Sequence, residues 1–171
     1  MVSLTSPTRV IKEQTTEADL PDLKVLAVID GSERMGRIID YARNLKSRGL
    51  GLQVVVLGVI PAPATGRLRG YGSFKQAQVY SGLKDTMRQR AVSAVARRLD
   101  QAKIAHVDRV EVGEPIATIL RVAREEDADL ILLGDGPPGV LQRMLPMIGL
   151  SVATVANRVV QQATVPVIVV K

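Results

Sequence analysis

The residues best suited to hold a phosphate group lie in one segment, GDGPPGVLQRMLPMIGLS (residues 134–151). In it Gly136 and Gly139 are separated by two residues, and Gly149 follows after nine more. Glycine carries no Cβ, so such a loop can turn its backbone N–H groups into a concavity that an anion fills. A helix opening near Ser151 would add free amides and the positive end of its dipole to the same place. Glycine spacing alone is a weak signal, because loops also collect Gly and Pro for turn geometry. Its position between an expected buried strand and an expected helix strengthens it. Neither the P-loop signature nor G-x-G-x-x-G occurs, which argues against a standard NTPase or a nicotinamide dehydrogenase.

Other chemistry is largely excluded by composition. The chain of 171 residues has no Cys and one His, His106. Disulfides, thiolate catalysis, Cys-rich zinc sites and a Ser-His-Asp triad go with them. His106 has no second His in sequence and is read as surface or strand-end packing just before the third strand. No general acid or base stands out. The net charge of +6 and pI near 10.0 raise the prospect of a polyanionic partner. The charges are spread over helix faces and loops, however, and no block of five or six like charges occurs. Aromatic residues are 2% of the chain, too few for the stacking platforms that nucleic-acid binders commonly use. No run approaches the roughly 20 apolar residues of a bilayer span, and the amino terminus lacks an apolar signal region, so a cytoplasmic protein is expected.

The elements that must position the glycine segment follow from hydrophobic patterning. Residues 1–23 are polar and lack an apolar period, so a flexible extension is expected there, with one domain over 24–171. KVLAVI (Lys24–Ile29) suits a buried strand ending at Asp30-Gly31-Ser32. Met35, Ile38, Ile39, Ala42 and Leu45 share one helical face, and Gly49 supplies a stop. Leu52–Ile60 is a second strand, ended by Pro61. Pro61 to about Ser81 reads as a long loop, a lid or a plain surface connection, in which Arg67, Arg69 and Lys75 are candidates to reach phosphate. A long helix from Leu83 to about Ala102, a short strand over Val107–Val112 and a helix opened by Pro115 come next. LILLG (Leu130–Gly134) reads as a central strand, Val152–Val159 as a helix and VPVIVV (Val165–Val170) as the last strand. Strands alternating with helices imply parallel pairing through right-handed crossovers, hence an open sheet with helices on both faces. Such sheets bind ligands at the carboxyl ends of their strands. Asp30 and Asp135 are expected at neighbouring ends, where they could hold Mg²⁺ against a phosphate chain or serve only as turn and loop carboxylates.

Together, VIDGS (Val28–Ser32), Gly113 with Pro115, DLILLG (Asp129–Gly134), the Gly136, Gly139, Gly149 spacing and the terminal VPVIVV resemble the universal stress protein family over nearly all of Lys24–Lys171. The resemblance implies a Rossmann-like open five-stranded parallel sheet of order 3-2-1-4-5. It also implies a site for ATP, AMP or a related adenine nucleotide between the first and fourth strands. By that resemblance Asp30, Gly31 and Ser32 lie against the nucleotide, the backbone of Val59 borders the adenine, and Gly134, Asp135, Gly136, Gly139 and Gly149 surround the phosphates. Two departures stand out. Leu150 occupies the place of a phosphate-contacting Ser or Thr, which Ser151 replaces only if the loop shifts, its other role being a helix N-cap. Gly134-Asp135-Gly136 also makes the link after the fourth strand two residues longer. Family members commonly dimerise through the last strand, so a homodimer through Val165–Val170 is expected. The two functional expectations are a nucleotide-binding stress-response or regulatory dimer, with at most slow ATP hydrolysis, and a nucleotide-free interaction module of the same fold.

Overall fold

The computed structural model describes residues 22–29, 35–62, 73–134 and 152–171. In chain order the elements are β1 (Leu23–Ile29), α1 (Met35–Ser47), β2 (Leu52–Pro61), α2 (Ser73–Met87), a π turn (Arg88–Val92), α3 (Ser93–Gln101), β3 (Ala105–Gly113), α4 (Pro115–Glu125), β4 (Leu130–Gly134), α5 (Val152–Gln162) and β5 (Val167–Val170). Every strand pair is parallel and the sheet order is β3-β2-β1-β4-β5, as the resemblance implies.

The strands read as unbroken aliphatic runs because both faces of the sheet are covered. Val25, Ala27 and Ile29 of β1, with Val54 and Val56 of β2, point to one face, where Ile38 and Ala42 of α1 and Val92, Val95 and Leu99 pack on them. Leu26, Val55, Leu57, Ile131 and Leu133 point to the other face and meet Ile116, Ile119 and Val122 of α4 and Val155 and Val159 of α5. Right-handed crossovers explain the division. Chain progress from β1 through β2 to β3 puts α1 and α2–α3 on one face, and the return to β4 and β5 puts α4 and α5 on the other. The winding therefore reverses between β1 and β4.

Several boundaries differ from the sequence expectation, β2 among them, since it takes in Pro61 as its last residue rather than ending before it. α2 starts at Ser73, inside the stretch read as a loop to Ser81. SFKQAQVYS carries no apolar stripe to betray it, and further along the helix Tyr80, Leu83 and Met87 pack against the core. Downstream, Met87, Ala91, Val95 and Leu99 recur every four residues. An α-helix advances 100° per residue, so such a stripe drifts about 40° per step. The wider π turn at Arg88–Val92 takes up that drift and keeps Ala91, Val92, Val95 and Leu99 buried. β3 runs from Ala105 to Gly113, longer than Val107–Val112, and so contains His106 rather than following it. β5 starts at Val167 instead of Val165: Pro166 accepts a hydrogen bond from Ile131 N at 3.0 Å but has no N–H to give in return. β1 begins at Leu23, and residues 1–21, read as an extension, lie outside the described residues. No described helix is long and apolar enough to cross a membrane.

Candidate functional site

The carboxyl ends of the strands form a step. β1 and β4 end level with one another, Val28 standing opposite Leu133. β2 continues past the last β1 residue, Ile29, which pairs with Gly58, through Val59, Ile60 and Pro61. β3 extends alongside as far as Gly113, opposite Pro61. Three further residues at about 3.3 Å each raise a ledge of roughly 10 Å beside the ends of β1 and β4. The recess it bounds lies where the winding reverses, the place at which open α/β sheets leave a crevice between diverging crossovers.

Two expected site residues fall within this recess. Val59 is on the ledge, its side chain buried on the α4–α5 face, so only its backbone is left to border a ligand. Gly134 closes β4 opposite Val170. A Cβ built on Gly134 would stand 3.8 Å from Ile38 Cδ1, an ordinary contact, so packing against α1 does not require glycine there. The remaining candidates, Asp30, Gly31, Ser32, Asp135, Gly136, Gly139, Gly149, Leu150 and Ser151, lie outside the described residues. Asp30 and Asp135 directly follow the level ends of β1 and β4 in sequence. Among the described residues no cluster of three potential metal ligands occurs. Arg67 and Arg69 lie outside the described residues, and Lys75 belongs to α2.

The third crossover is anchored at the same end of the sheet. Glu114 caps α4 by accepting from Ala117 N at 2.6 Å, and Pro115 takes the first helical position. A Cβ on Gly113 would fall 2.5 Å from Oγ1 of the buried Thr118, so here the close approach of helix and strand does require glycine.

A charged cluster that sequence reading missed joins the outer strand to α4. Arg109 Nη2 donates to Glu111 at 2.8 Å and to Glu125 at 2.9 Å, and Nη1 donates to Glu126 at 2.6 Å. Arg121 Nη1 donates to Glu125 at 2.5 Å and Nη2 to Glu111 at 3.4 Å. The hydrogen bond from Arg109, more than the burial that opposes it, holds the Glu111 carboxyl below the usual range. Arg121 and then Arg109 do the same for Glu125. Alternation of charge along HVDRVE was the available signal, but the helical partners lie 16 and 17 residues on. This cluster is closed on itself and sits on the edge strand. His106 is likewise structural: half-buried in β3, its Nδ1 lies 3.3 Å from the Ile104 carbonyl and 3.8 Å from Asp100 Oδ1.

The model of the universal stress protein family matches residues 23–171. The chain belongs to that family. Solved structures agree on the fold, 67 chains matching. The universal stress protein UspA from Lactobacillus plantarum is 22% identical with a TM-score of 0.63, over 90% of this chain and 100% of that one. A universal stress protein from Archaeoglobus fulgidus in complex with dAMP is 23% identical with a TM-score of 0.53, over 88% and 98%. A universal stress protein in complex with cAMP is 20% identical with a TM-score of 0.52, over 87% and 96%. No curated protein matches the chain.

Proposed function

We propose that this universal stress protein binds an adenine nucleotide in the recess above β1 and β4 and acts as a regulatory homodimer paired through β5. The observation that carries the reading is the stepped carboxyl end at the reversal of winding, with Gly134 leading into the Gly136, Gly139, Gly149 spacing. In this reading the base leans on the Val59 backbone of the ledge and the phosphates lie toward the glycine segment. Two family members solved with cAMP and dAMP support the ligand class. The role is binding that biases one conformation of the dimer or of its protein partner; turnover, if measured, is slow ATP hydrolysis. Asp30 and Asp135 would hold Mg²⁺, which supplies charge neutralisation of a di- or triphosphate.

Leu150 favours a second reading, a nucleotide-free dimeric interaction module, because it puts an aliphatic side chain where the family resemblance expects a phosphate-contacting hydroxyl. Thermal unfolding with ATP, ADP, AMP and cAMP, each with and without Mg²⁺, separates the two. A ligand at about 100 times its Kd stabilises by roughly 2.7 kcal/mol, which at this chain length raises Tm by about 5–10 °C. A selective rise supports nucleotide binding, and a rise dependent on Mg²⁺ supports the two aspartates. No rise with any nucleotide, in protein freed of copurified ligand, selects the interaction module.

A further inference from the structure

The sheet sorts charges that are scattered along the sequence. On one of its faces, α1 and the turn after it carry Arg37, Arg43, Lys46 and Arg48 with one carboxylate, Asp40. From Tyr80 of α2 to the end of α3 and its turn, the same layer carries Lys84, Arg88, Arg90, Arg97, Arg98 and Lys103 with two carboxylates, Asp85 and Asp100. Ten cations therefore stand against three carboxylates, and eight of the ten are exposed. Among the described residues Arg43 alone of the ten is paired with a carboxylate, Asp40 at 3.7 Å. The layer on the other face has the reverse balance. From Glu114 to Asp129 and along α5 it carries three arginines and five carboxylates, and two of those carboxylates, Glu125 and Glu126, are engaged by Arg109 and Arg121. A second copy of the chain thus offers the basic layer no strongly acidic counterpart.

The basic layer is one platform. Arg98 of α3 reaches over α1, its Nη1 2.8 Å from where a Cβ on Gly36 would stand, and Lys46 of α1 donates to the Lys103 carbonyl. Both helices use their apolar stripes in the core, Ile38, Ile39 and Ala42 from one and Val95 and Leu99 from the other, and no large apolar residue of either is exposed. A helix that lies in a bilayer surface needs such a stripe free. Seven of the ten cations are arginines, whose planar fork matches phosphate oxygens. Arg37 to Arg48 and Arg88 to Arg98 each extend roughly 15 Å at 1.5 Å per residue, on helices about 8–10 Å apart. A nucleic-acid duplex carries one phosphate charge per about 1.7 Å of axis, hence about nine over that length. Contacts to phosphate carry no sequence information and need no aromatic platform.

We propose that the α1–α3 face docks on the phosphate backbone of a nucleic-acid duplex without reading its bases, a role separate from the nucleotide recess. Fluorescence anisotropy of a labelled duplex of about 20 base pairs, titrated with the full chain between 50 and 200 mM salt, tests it. Four or five engaged phosphates give a slope of log K against log salt of about −4, or a loss of about 250-fold across that range. Two duplexes of unrelated sequence should bind alike. Arg88→Gln with Arg97→Gln, both exposed, should make the slope shallower by about 2 and weaken binding at least about tenfold at the lowest salt. Asp40→Asn, which removes a carboxylate from the platform, should strengthen binding about two- to three-fold. Arg124→Gln with Arg158→Gln, on the other layer, should leave slope and affinity as in wild type. Absence of binding at 50 mM salt, or equal losses from the two double variants, overturns the surface. So does tighter binding to vesicles with one-third phosphatidylserine or to polyglutamate, which would assign the basic layer to a membrane or to an acidic protein.

Discussion

The two edges of this sheet are built from opposite materials. At one, β3 presents nine residues among which His106, Asp108, Arg109 and Glu111 are polar, and Arg109 and Glu111 are tied to α4 by a closed set of ion pairs. At the other, β5 offers four residues, Val167, Ile168, Val169 and Val170, all partly exposed and none polar. An open edge displays unpaired N–H and C=O groups, and charged side chains discourage a second chain from pairing with them. The contrast teaches where assembly can occur: the charged edge resists pairing and the aliphatic edge invites it. That is the physical support for placing the proposed dimer on β5.

The sharpest way to break the comparison is to spoil β5 alone. Pro166 directs its carbonyl at Ile131, and backbone groups alternate along a parallel strand, so Val167 and Val169 direct their N–H groups at the open edge. Val169→Pro deletes one of these donors and leaves the ladder to β4 in place. Sedimentation should show the dimer weakened at least about tenfold, or about 1.4 kcal/mol; an unchanged dimer would remove β5 from the interface. A wild-type monomer at micromolar concentration would refute the dimer itself. The converse experiment replaces both Arg109 and Glu111 with Val, which gives β3 an aliphatic stripe with Val107, already 48% exposed. Species larger than the dimer are expected by light scattering, and their absence would mean that charge is not what protects β3.

This contrast was half legible in sequence. VPVIVV stood out as an aliphatic strand, whereas AHVDRVEVG was read only in its centre, because an edge strand with one face turned to ions lacks the signal of a buried one. The start of α2 is hidden for a related reason: SFKQAQVYS (residues 73–81) has no apolar period in its sequence, and the helix is recognisable only where Leu83 and Met87 reach the core. The π turn is written in the four-residue spacing of Met87 to Leu99, but a spacing of four is read as an ordinary helix until a rigid sheet shows where the stripe must point. The central strands are plain because continuous burial leaves no other composition available. Of the candidate site, the ledge depended on strand register, which no local pattern carries, and Gly134 was recognisable only as the end of LILLG. The ion cluster needed the crossover that brings Arg121, Glu125 and Glu126 back across the face of β3.

A smaller effect tests the closed edge without altering assembly. Arg109→Met keeps the aliphatic stem and deletes four charge-assisted hydrogen bonds. Each such bond at a half-exposed site contributes modestly, so a loss of about 1–2 kcal/mol is expected, roughly 3–6 °C in Tm. The pH dependence of that loss distinguishes charge from packing. Glu111 and Glu125 have folded pKa values below the usual carboxylate range. Their contribution is therefore fully present above the unfolded value of about 4.3 and disappears as pH falls through the folded values. Urea unfolding of wild type and Arg109→Met should differ most near neutral pH and converge as pH falls below about 4. A difference that stays constant across that range would assign the role of Arg109 to its buried stem, and the charged edge would then owe its closure to shape.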